Sequence, residues 1–161
     1  MRLNVFIRVA IGILISFLFY TIFSRISPSF LLLFNVFSLV VFYFAVKKGE
    51  IFGSCLGAVC GLFQDYFFSG VYGVAGLSKT ISGFLAGYLS KKIDVQPPLR
   101  NFFFLIILLS FELILWALLF SFIVPESINT GGGLIFLQPV ATAVLGTFVH
   151  FLLKKFKKDK Y

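Results

Sequence analysis

The stretch that decides the fold is the segment from Ile51 to Ser90, which reads IFGSCLGAVCGLFQDYFFSGVYGVAGLSKTISGFLAGYLS. It consists of two apolar runs, residues 51–68 and 71–90, joined by a Ser-Gly turn. Each run is close to the length of about 20 residues that a helix needs to cross a bilayer. Glycines recur at every fourth position of the first run, a spacing that permits close helix contact in lipid. The stretch therefore predicts a tight pair of membrane helices.

The composition of the whole chain also indicates a lipid environment. Of the 161 residues, 60% are hydrophobic, 19% are aromatic and 12% are charged, whereas soluble domains carry about 25% charged residues. A soluble fold of this size could not cover so many apolar side chains. The composition therefore excludes a water-soluble enzyme, a disordered chain and a secreted disulfide scaffold. The length has room for a single integral membrane domain, residues 1–161.

Six apolar segments follow one another along the chain, with basic or turn residues between them. We predict an all-α polytopic fold, because a β-barrel would show short alternating segments instead. Pro97 and Pro98 prevent a helix from continuing into the fifth segment. No small-x-small cleavage site follows the first segment, so we interpret it as a retained helix. The six transmembrane helices are predicted at approximately residues 5–23, 30–46, 51–68, 71–90, 101–124 and 134–153.

The basic residues indicate the orientation of these segments. Twelve of the 14 fall at the termini or in loops that are cytoplasmic if both termini are inside. This asymmetry predicts an N-in/C-in topology and explains the net charge of +8 without nucleic-acid binding. The lysine-rich tail, Lys154–Tyr161, is expected to contact anionic lipids at the inner surface. A contact with a cytoplasmic protein is the alternative.

Asp65 and Lys79 are ionisable residues within the third and fourth segments. A charge in the bilayer interior costs at least about 2.5–3.5 kcal/mol, so each should be paired or face a cavity. Side chains lean toward the N-terminus of their own helix, which turns Asp65 inward and Lys79 outward. We therefore predict that they pair with each other. Glu112, in the fifth segment, is a second possible partner for Lys79.

Other polar residues are expected in the outer halves of their helices, where they would form one polar cluster with these charges. We interpret the cluster as a structural lock; a ligand pocket or a proton relay is the alternative. His150 is interpreted as an interface residue. The additional cluster members are Asn35, Gln64 and Gln138.

Small residues of the third and fourth segments are expected to mediate helix packing, because lipid provides no hydrophobic drive between helices. The alternative interpretation is a pocket lined by backbone. The predicted packing residues are Gly53, Gly57, Gly61, Gly76, Gly83 and Gly87.

The sequence contains no grouping typical of catalysis, a metal site or a cofactor site. H-E-x-x-H, G-x-S-x-G and Walker A motifs are missing. Cys55 and Cys60 are five residues apart, which corresponds to about 500° around a helix, so they cannot form a disulfide. We interpret both as small, buried, reduced residues, and the protein as non-enzymatic.

Residues 57–92 resemble the rod shape-determining protein MreD family of bacteria. The resemblance rests on a G-x-x-x-G-L-x-x-D helix end, here Gly57 to Asp65, followed by a glycine-punctuated helix. The family pattern falls on Gly61, Asp65, Gly70, Gly73, Lys79 and Gly83.

This resemblance implies a non-enzymatic subunit of the cell-elongation machinery in the bacterial inner membrane. MreD-like proteins bind the single-span protein MreC. Through MreC they join the glycosyltransferase RodA, its transpeptidase partner and the MreB filament, and they support lateral peptidoglycan synthesis and cell shape. The family is also similar in fold to the six-helix S components of energy-coupling-factor vitamin transporters.

That similarity in fold supplies the main rival hypothesis, a substrate-binding S component. S components typically carry an A-x-x-x-A pattern on the first helix, whereas this chain reads Ala10-Ile-Gly-Ile-Leu14 there. A third class, a lipid-processing enzyme, lacks residues for the chemistry. A scaffold subunit is therefore the preferred prediction.

Overall fold

The computed structural model describes residues 3–27, 33–68, 71–95, 97–123 and 133–158. This part of the chain contains six α-helices, a short 3-10 turn and no strand, which confirms the predicted all-α class. The helices are α1 (Leu3–Ile26), α2 (Val36–Lys48), α3 (Glu50–Phe68), α4 (Val74–Ser90), α5 (Pro98–Ile123) and α6 (Gln138–Lys158), and the 3-10 turn is Leu134–Leu137.

Local capping explains where several helices differ from the predicted segments. The second helix begins at Val36 rather than at residue 30, because the Asn35 side chain accepts a hydrogen bond from the Ser38 amide at 3.4 Å. The fifth begins at Pro98, three residues before the predicted start. Proline is well suited to the first helical position, where no amide hydrogen is needed. The predicted Ser69-Gly70 turn and residues 30–32 lie outside the described residues.

Helix α2 is the shortest of the six described helices. Its 13 residues correspond to a length of about 20 Å at 1.5 Å per residue. A bilayer hydrocarbon core is about 30 Å thick. Lys47 and Lys48 lie in the last turn of α2. If this end lies at the inner surface, the N-terminus of α2 lies within the depth of the hydrocarbon layer.

Within the described residues, three helical stretches are long and apolar enough to span a membrane: Phe6–Ile26, Pro98–Ile123 and Leu134–Leu152. Their outer surfaces carry large apolar side chains, such as Leu99, which is 73% exposed, and Phe122, which is 85% exposed. Water is an unfavourable solvent for such a continuous apolar surface. The structure therefore indicates a membrane protein.

The helices pack around α2, which contacts α1, α3, α4 and α6. The most extensive interface joins α3 to α4, and α5 then packs between α4 and α6. Buried side chains of α2 and α5 supply most of the apolar core. They include Phe37, Val41, Phe42, Phe44, Phe104, Leu105, Leu108 and Leu109.

Candidate functional site

Helices α3 and α4 touch backbone to backbone along a line of glycines. A Cβ added at Gly57 would overlap the backbone carbonyl group of Lys79, and one added at Gly53 would overlap the backbone of Gly83. At Gly61 the added atom would lie 2.5 Å from the Cα of Gly76. Real Cβ atoms do not approach so closely, so this interface requires glycine at these positions. Gly87 is equally restricted, by the backbone of residues 49 and 50.

Gly76 differs from the other predicted packing glycines. A Cβ added there would meet the side chain of Leu62 at 3.4 Å and a carboxylate oxygen of Asp65 at 3.8 Å, which are ordinary van der Waals distances. Gly76 therefore takes part in the interface as the surface that Gly61 approaches. Its own lack of a side chain is not required for the approach.

Asp65 is fully buried near the C-terminal end of α3, where its carboxylate binds the start of α4. Oδ1 accepts a hydrogen bond from the amide of Ala75 at 3.0 Å. Oδ2 accepts from the amides of Gly73 at 2.9 Å and Gly76 at 3.0 Å. The first amides of a helix have no partner within the helix, and its N-terminus carries partial positive charge. Asp65 therefore caps α4 from the preceding helix.

Lys79 lies at the centre of a second buried site, which we call the Lys79 cluster: Asn35, Ser38, Lys79, Glu112 and Thr142. The Lys79 ammonium donates to Oε1 of Glu112, to Oγ of Ser38 at 2.5 Å and to Oδ1 of Asn35 at 3.2 Å. Three acceptors use all three of its protons. Lys79 is 1% exposed and Glu112 is 4% exposed, so this is a buried ion pair.

The predicted pairing of Asp65 with Lys79 is therefore wrong. The hydrogen bonds of Lys79 go to α2 and α5, and the Asp65 carboxylate is used by the amides one turn before Lys79 on α4. The prediction considered the α3–α4 pair in isolation. Glu112, the second partner that the sequence suggested, forms the ion pair because α5 packs directly against α4.

Asn35 and Thr142 connect the Lys79 cluster to the ends of two helices. The Asn35 side chain caps α2 and also donates to Oε1 of Glu112 at 3.3 Å. Its backbone amide donates to Oγ1 of Thr142 at 3.1 Å, and the Thr142 hydroxyl donates to the carbonyl of Leu33 at 3.2 Å. Helices α2, α4, α5 and α6 thus meet in one hydrogen-bonded group.

Ser38 and Thr142 were not identified from the sequence. Ser38 donates to Oε1 of Glu112 at 2.6 Å and is fully buried, as is Thr142. Ser38 follows Asn35 by three residues, the spacing that relates an N-cap side chain to the amide it bonds, and this signal could have located the start of α2. A threonine within an apolar helix carries no comparable signal.

Gln64 and Gln138 are half-buried, and the hydrogen bonds described for the Lys79 cluster do not include them. The six residues predicted as one polar cluster thus separate. Asn35, Lys79 and Glu112 come together, while Asp65 acts at the start of α4.

One oxygen of Glu112 differs from the rest of the Lys79 cluster. Oε1 accepts three hydrogen bonds, from Lys79, Ser38 and Asn35. Oε2 is shielded from solvent and has no hydrogen-bond donor among the described residues. A buried acceptor left unsatisfied costs about 1–3 kcal/mol, and more when it is charged. Among the described residues, the charge of this carboxylate is therefore compensated by Lys79, but its second oxygen has no hydrogen bond of its own.

Within the described ranges, no three His, Cys, Asp or Glu side chains are grouped as metal ligands. Cys55 and Cys60 are free thiols, but Cys55 is exposed, contrary to the prediction that both are buried. It faces outward because Cys60, rather than Cys55, lies on the face of α3 that packs into the core. His150 is half-buried near the C-terminal end of α6.

Lysines gather at the end of the bundle where α2 and α4 finish. Lys91 forms an ion pair with Glu50, which precedes the apolar run of α3, and this hydrogen bond lowers the pKa of the Glu50 carboxyl. Lys47 lies over the ring of Tyr43, and Lys92 lies 4.8 Å from the ring centroid of Tyr88. Tyrosine and lysine side by side are typical of a membrane–water boundary.

The fold and these buried polar groups define an all-α membrane protein with an internally bonded polar core. No family model, no curated protein and no solved structure matches the chain.

Proposed function

We propose that this protein is a non-enzymatic integral membrane subunit of the bacterial cell-elongation complex. In this proposal it binds MreC and, through MreC, RodA, its transpeptidase partner and MreB. It thereby supports lateral peptidoglycan synthesis and the maintenance of cell shape. Its location is the inner membrane, which it crosses several times.

The observation that carries the proposal is the structural role of the residues that resemble the MreD family. Gly57 and Gly61 allow α3 to contact the backbone of α4, Gly83 does the same from α4, and Asp65 caps α4 through the amide of Gly73. These residues lie in one stretch and build one unit. Such a unit provides a rigid surface, as a scaffold subunit requires.

The pairing of the buried charges also favours a scaffold over a catalyst. All three ammonium protons of Lys79 are donated to acceptors within the bundle, and both carboxylate oxygens of Asp65 accept backbone hydrogen bonds. Groups bonded in this way hold helices together and are poorly placed to exchange protons with a substrate. The bonds of Lys79 join helices that are distant in sequence, whereas those of Asp65 join the consecutive helices α3 and α4.

We further propose six spans with an N-in/C-in topology. Tyr66 lies 16 residues after Glu50 on α3, which corresponds to about 24 Å along the helix axis. This length approaches the hydrocarbon thickness of about 30 Å. Lys47, Lys48, Lys91 and Lys92 lie where α2 and α4 end, which supports placing this end in the cytoplasm.

Reporter fusions test the topology. Fluorescent-protein and alkaline-phosphatase fusions after Ile26 and Ser69 should report an outside location, and fusions after Lys48, Lys92 and Tyr161 should report an inside location. Phosphatase activity at Lys48 or Lys92, or fluorescence at Ser69, would contradict the α3–α4 hairpin as a pair of spans.

Co-expression tests the proposed partner. A tagged single-span MreC-type protein should recover this chain from detergent at a constant ratio. A version of MreC whose membrane span is replaced by polyleucine is the control, and it should recover much less. Equal recovery by both would contradict a specific membrane contact.

A second candidate function is that of a substrate-binding S component. The buried Oε2 of Glu112 favours it, because this oxygen can accept a hydrogen bond from a bound ligand. Native mass spectrometry of the purified protein distinguishes the two functions. A tightly bound organic molecule in stoichiometric amount would favour the transporter subunit and overturn the scaffold proposal.

A further inference from the structure

The N-terminus of α2 and Glu112 meet in the interior of the bundle. Ser38, in the first turn of α2, and Asn35, its N-cap, both donate hydrogen bonds to Oε1 of Glu112. The carboxylate therefore lies against the end of α2 that carries partial positive charge. Its second oxygen, Oε2, is bonded covalently to the same carbon and so lies within a few ångströms of this turn.

Two kinds of hydrogen-bonding capacity meet at this point. Oε2 of Glu112 can accept but has no donor among the described residues. The first turn of a helix offers amide donors that have no partner within the helix. In α2 the Ser38 amide is bonded to Oδ1 of Asn35, and the amide of Val36 belongs to the same turn. A molecule placed here can donate to the carboxylate and accept from an amide.

The charge of the Lys79 cluster restricts what this molecule is. Lys79 already neutralises Glu112, and its ammonium is fully bonded. A further cation would meet the Lys79 charge and the positive end of α2, and an anion would meet the carboxylate. The remaining class is a small neutral molecule that both donates and accepts. Water is the smallest such molecule, and buried waters typically make about three hydrogen bonds.

We propose that Oε2 of Glu112 and the first turn of α2 form a binding site for one buried water molecule. The water donates a hydrogen bond to Oε2 and accepts one from an α2 amide. It completes the Lys79 cluster, whose other members are bonded directly to one another. The site is argued independently of the proposed role in cell elongation. An empty site, or a protein group bonded to Oε2, would overturn the water site and leave that role untouched, whereas a bound organic molecule would count against both proposals.

A structure determined in a lipidic phase at about 2 Å or better tests the site directly. The expected result is an isolated density peak at about 2.6–3.2 Å from Oε2 of Glu112, the range of ordinary hydrogen bonds. Three results would overturn the proposal: no peak, a protein group bonded to Oε2, or density for a larger molecule.

Solid-state NMR in bilayers gives a second test that does not depend on crystals. Water-edited carbon spectra are recorded on protein labelled at aspartate and glutamate. Asp65 is the internal control, because it is equally buried but both its oxygens accept protein hydrogen bonds. The Glu112 carboxyl signal should build up from water several-fold faster than that of Asp65.

Magnetisation from water also reaches Glu112 through the exchangeable hydroxyl proton of Ser38, and the Ser38→Ala variant removes this route. A bound water keeps the rapid build-up at Glu112 in this variant. Loss of the rapid build-up at Glu112 in the variant would show that no water is bound at Oε2. Equal build-up rates for the Glu112 and Asp65 carboxyl signals in the wild type would show the same.

Discussion

Replacing Asp65 by asparagine breaks the cap of α4 while it changes the side-chain volume very little. The carboxylate accepts three amide hydrogen bonds, from Gly73, Ala75 and Gly76. The amide side chain retains one acceptor oxygen. In its better orientation it keeps the two bonds of Oδ2 and turns an NH2 group toward the Ala75 amide.

The expected cost follows from these bonds. A hydrogen bond to a charged group contributes about 1.5–3 kcal/mol, and a negative charge near a helix N-terminus contributes about 0.3–2 kcal/mol. Asp65→Asn loses at least one such bond and the charge, so it should destabilise the fold by about 2–4 kcal/mol. Asp65→Ala loses all three bonds and should cost more. Asp94→Asn is the control, because its ion pair with Arg100 is more than half exposed and such pairs contribute about 0–1 kcal/mol.

The thiol of Cys60 can report the unfolding of these variants. Cys60 is fully buried, and replacing the exposed Cys55 by serine leaves it as the single thiol. A thiol-reactive dye then reports opening of the bundle during heating in detergent. At about 2–4 °C per kcal/mol for a chain of this size, Asp65→Asn should lower Tm by about 5–15 °C.

The Asp94→Asn control should shift Tm by no more than about 4 °C on the same scale. If Asp65→Asn unfolds within that margin of the control, the carboxylate does not hold α4 as described. The reasoning on the α3–α4 hairpin would then fail.

Two further pairs of variants test the interior, one in the Lys79 cluster and one in the α3–α4 interface. Lys79→Met and Glu112→Gln each leave a buried charge without its partner, so each should destabilise the fold by about 3–5 kcal/mol. The double variant should recover a large part of this loss. If the two losses are additive in thermal unfolding, the two residues are not coupled. Gly57→Ala forces a Cβ into the backbone of α4. Overpacking typically costs about 1–3 kcal/mol when side chains can move to relieve it. Backbone cannot move as easily, so Gly57→Ala should cost about 3 kcal/mol or more. Gly76→Ala, in the same interface, should lie within about 1 kcal/mol of wild type because its Cβ makes ordinary contacts and alanine favours helix. Equal Tm values for the two glycine variants would contradict the described approach of α3 and α4.

More of the α3–α4 hairpin than of the Lys79 cluster could be predicted from the sequence. Gly53, Gly57 and Gly61 were recognised because their spacing repeats along one helix and close approach in lipid needs small residues. Asp65 was recognised because an ionisable residue in an apolar segment must be satisfied by a partner or a cavity. The role of Asp65 was misassigned because a buried carboxylate has two ways to be satisfied, a cation or several amides. Sequence spacing alone does not distinguish them.

Glu112 was named as a partner of Lys79, but as the second choice. Its distance of 33 residues along the chain made it less evident than Asp65, which lies within the same hairpin. Ser38 and Thr142 were missed because each is a small polar residue in an apolar helix. Their roles depend on helices that are brought together from 74 residues or more apart in the chain.

The sequence by itself determined the class of protein and its helical segments. Hydropathy is a local property, so apolar runs and the lysines between them indicate membrane helices without knowledge of their neighbours. The tertiary structure decided how the buried charges are satisfied. A charge in a low-dielectric interior must be bonded to whatever packs beside it, and α2, α5 and α6 meet Lys79 and Glu112 only in the folded bundle.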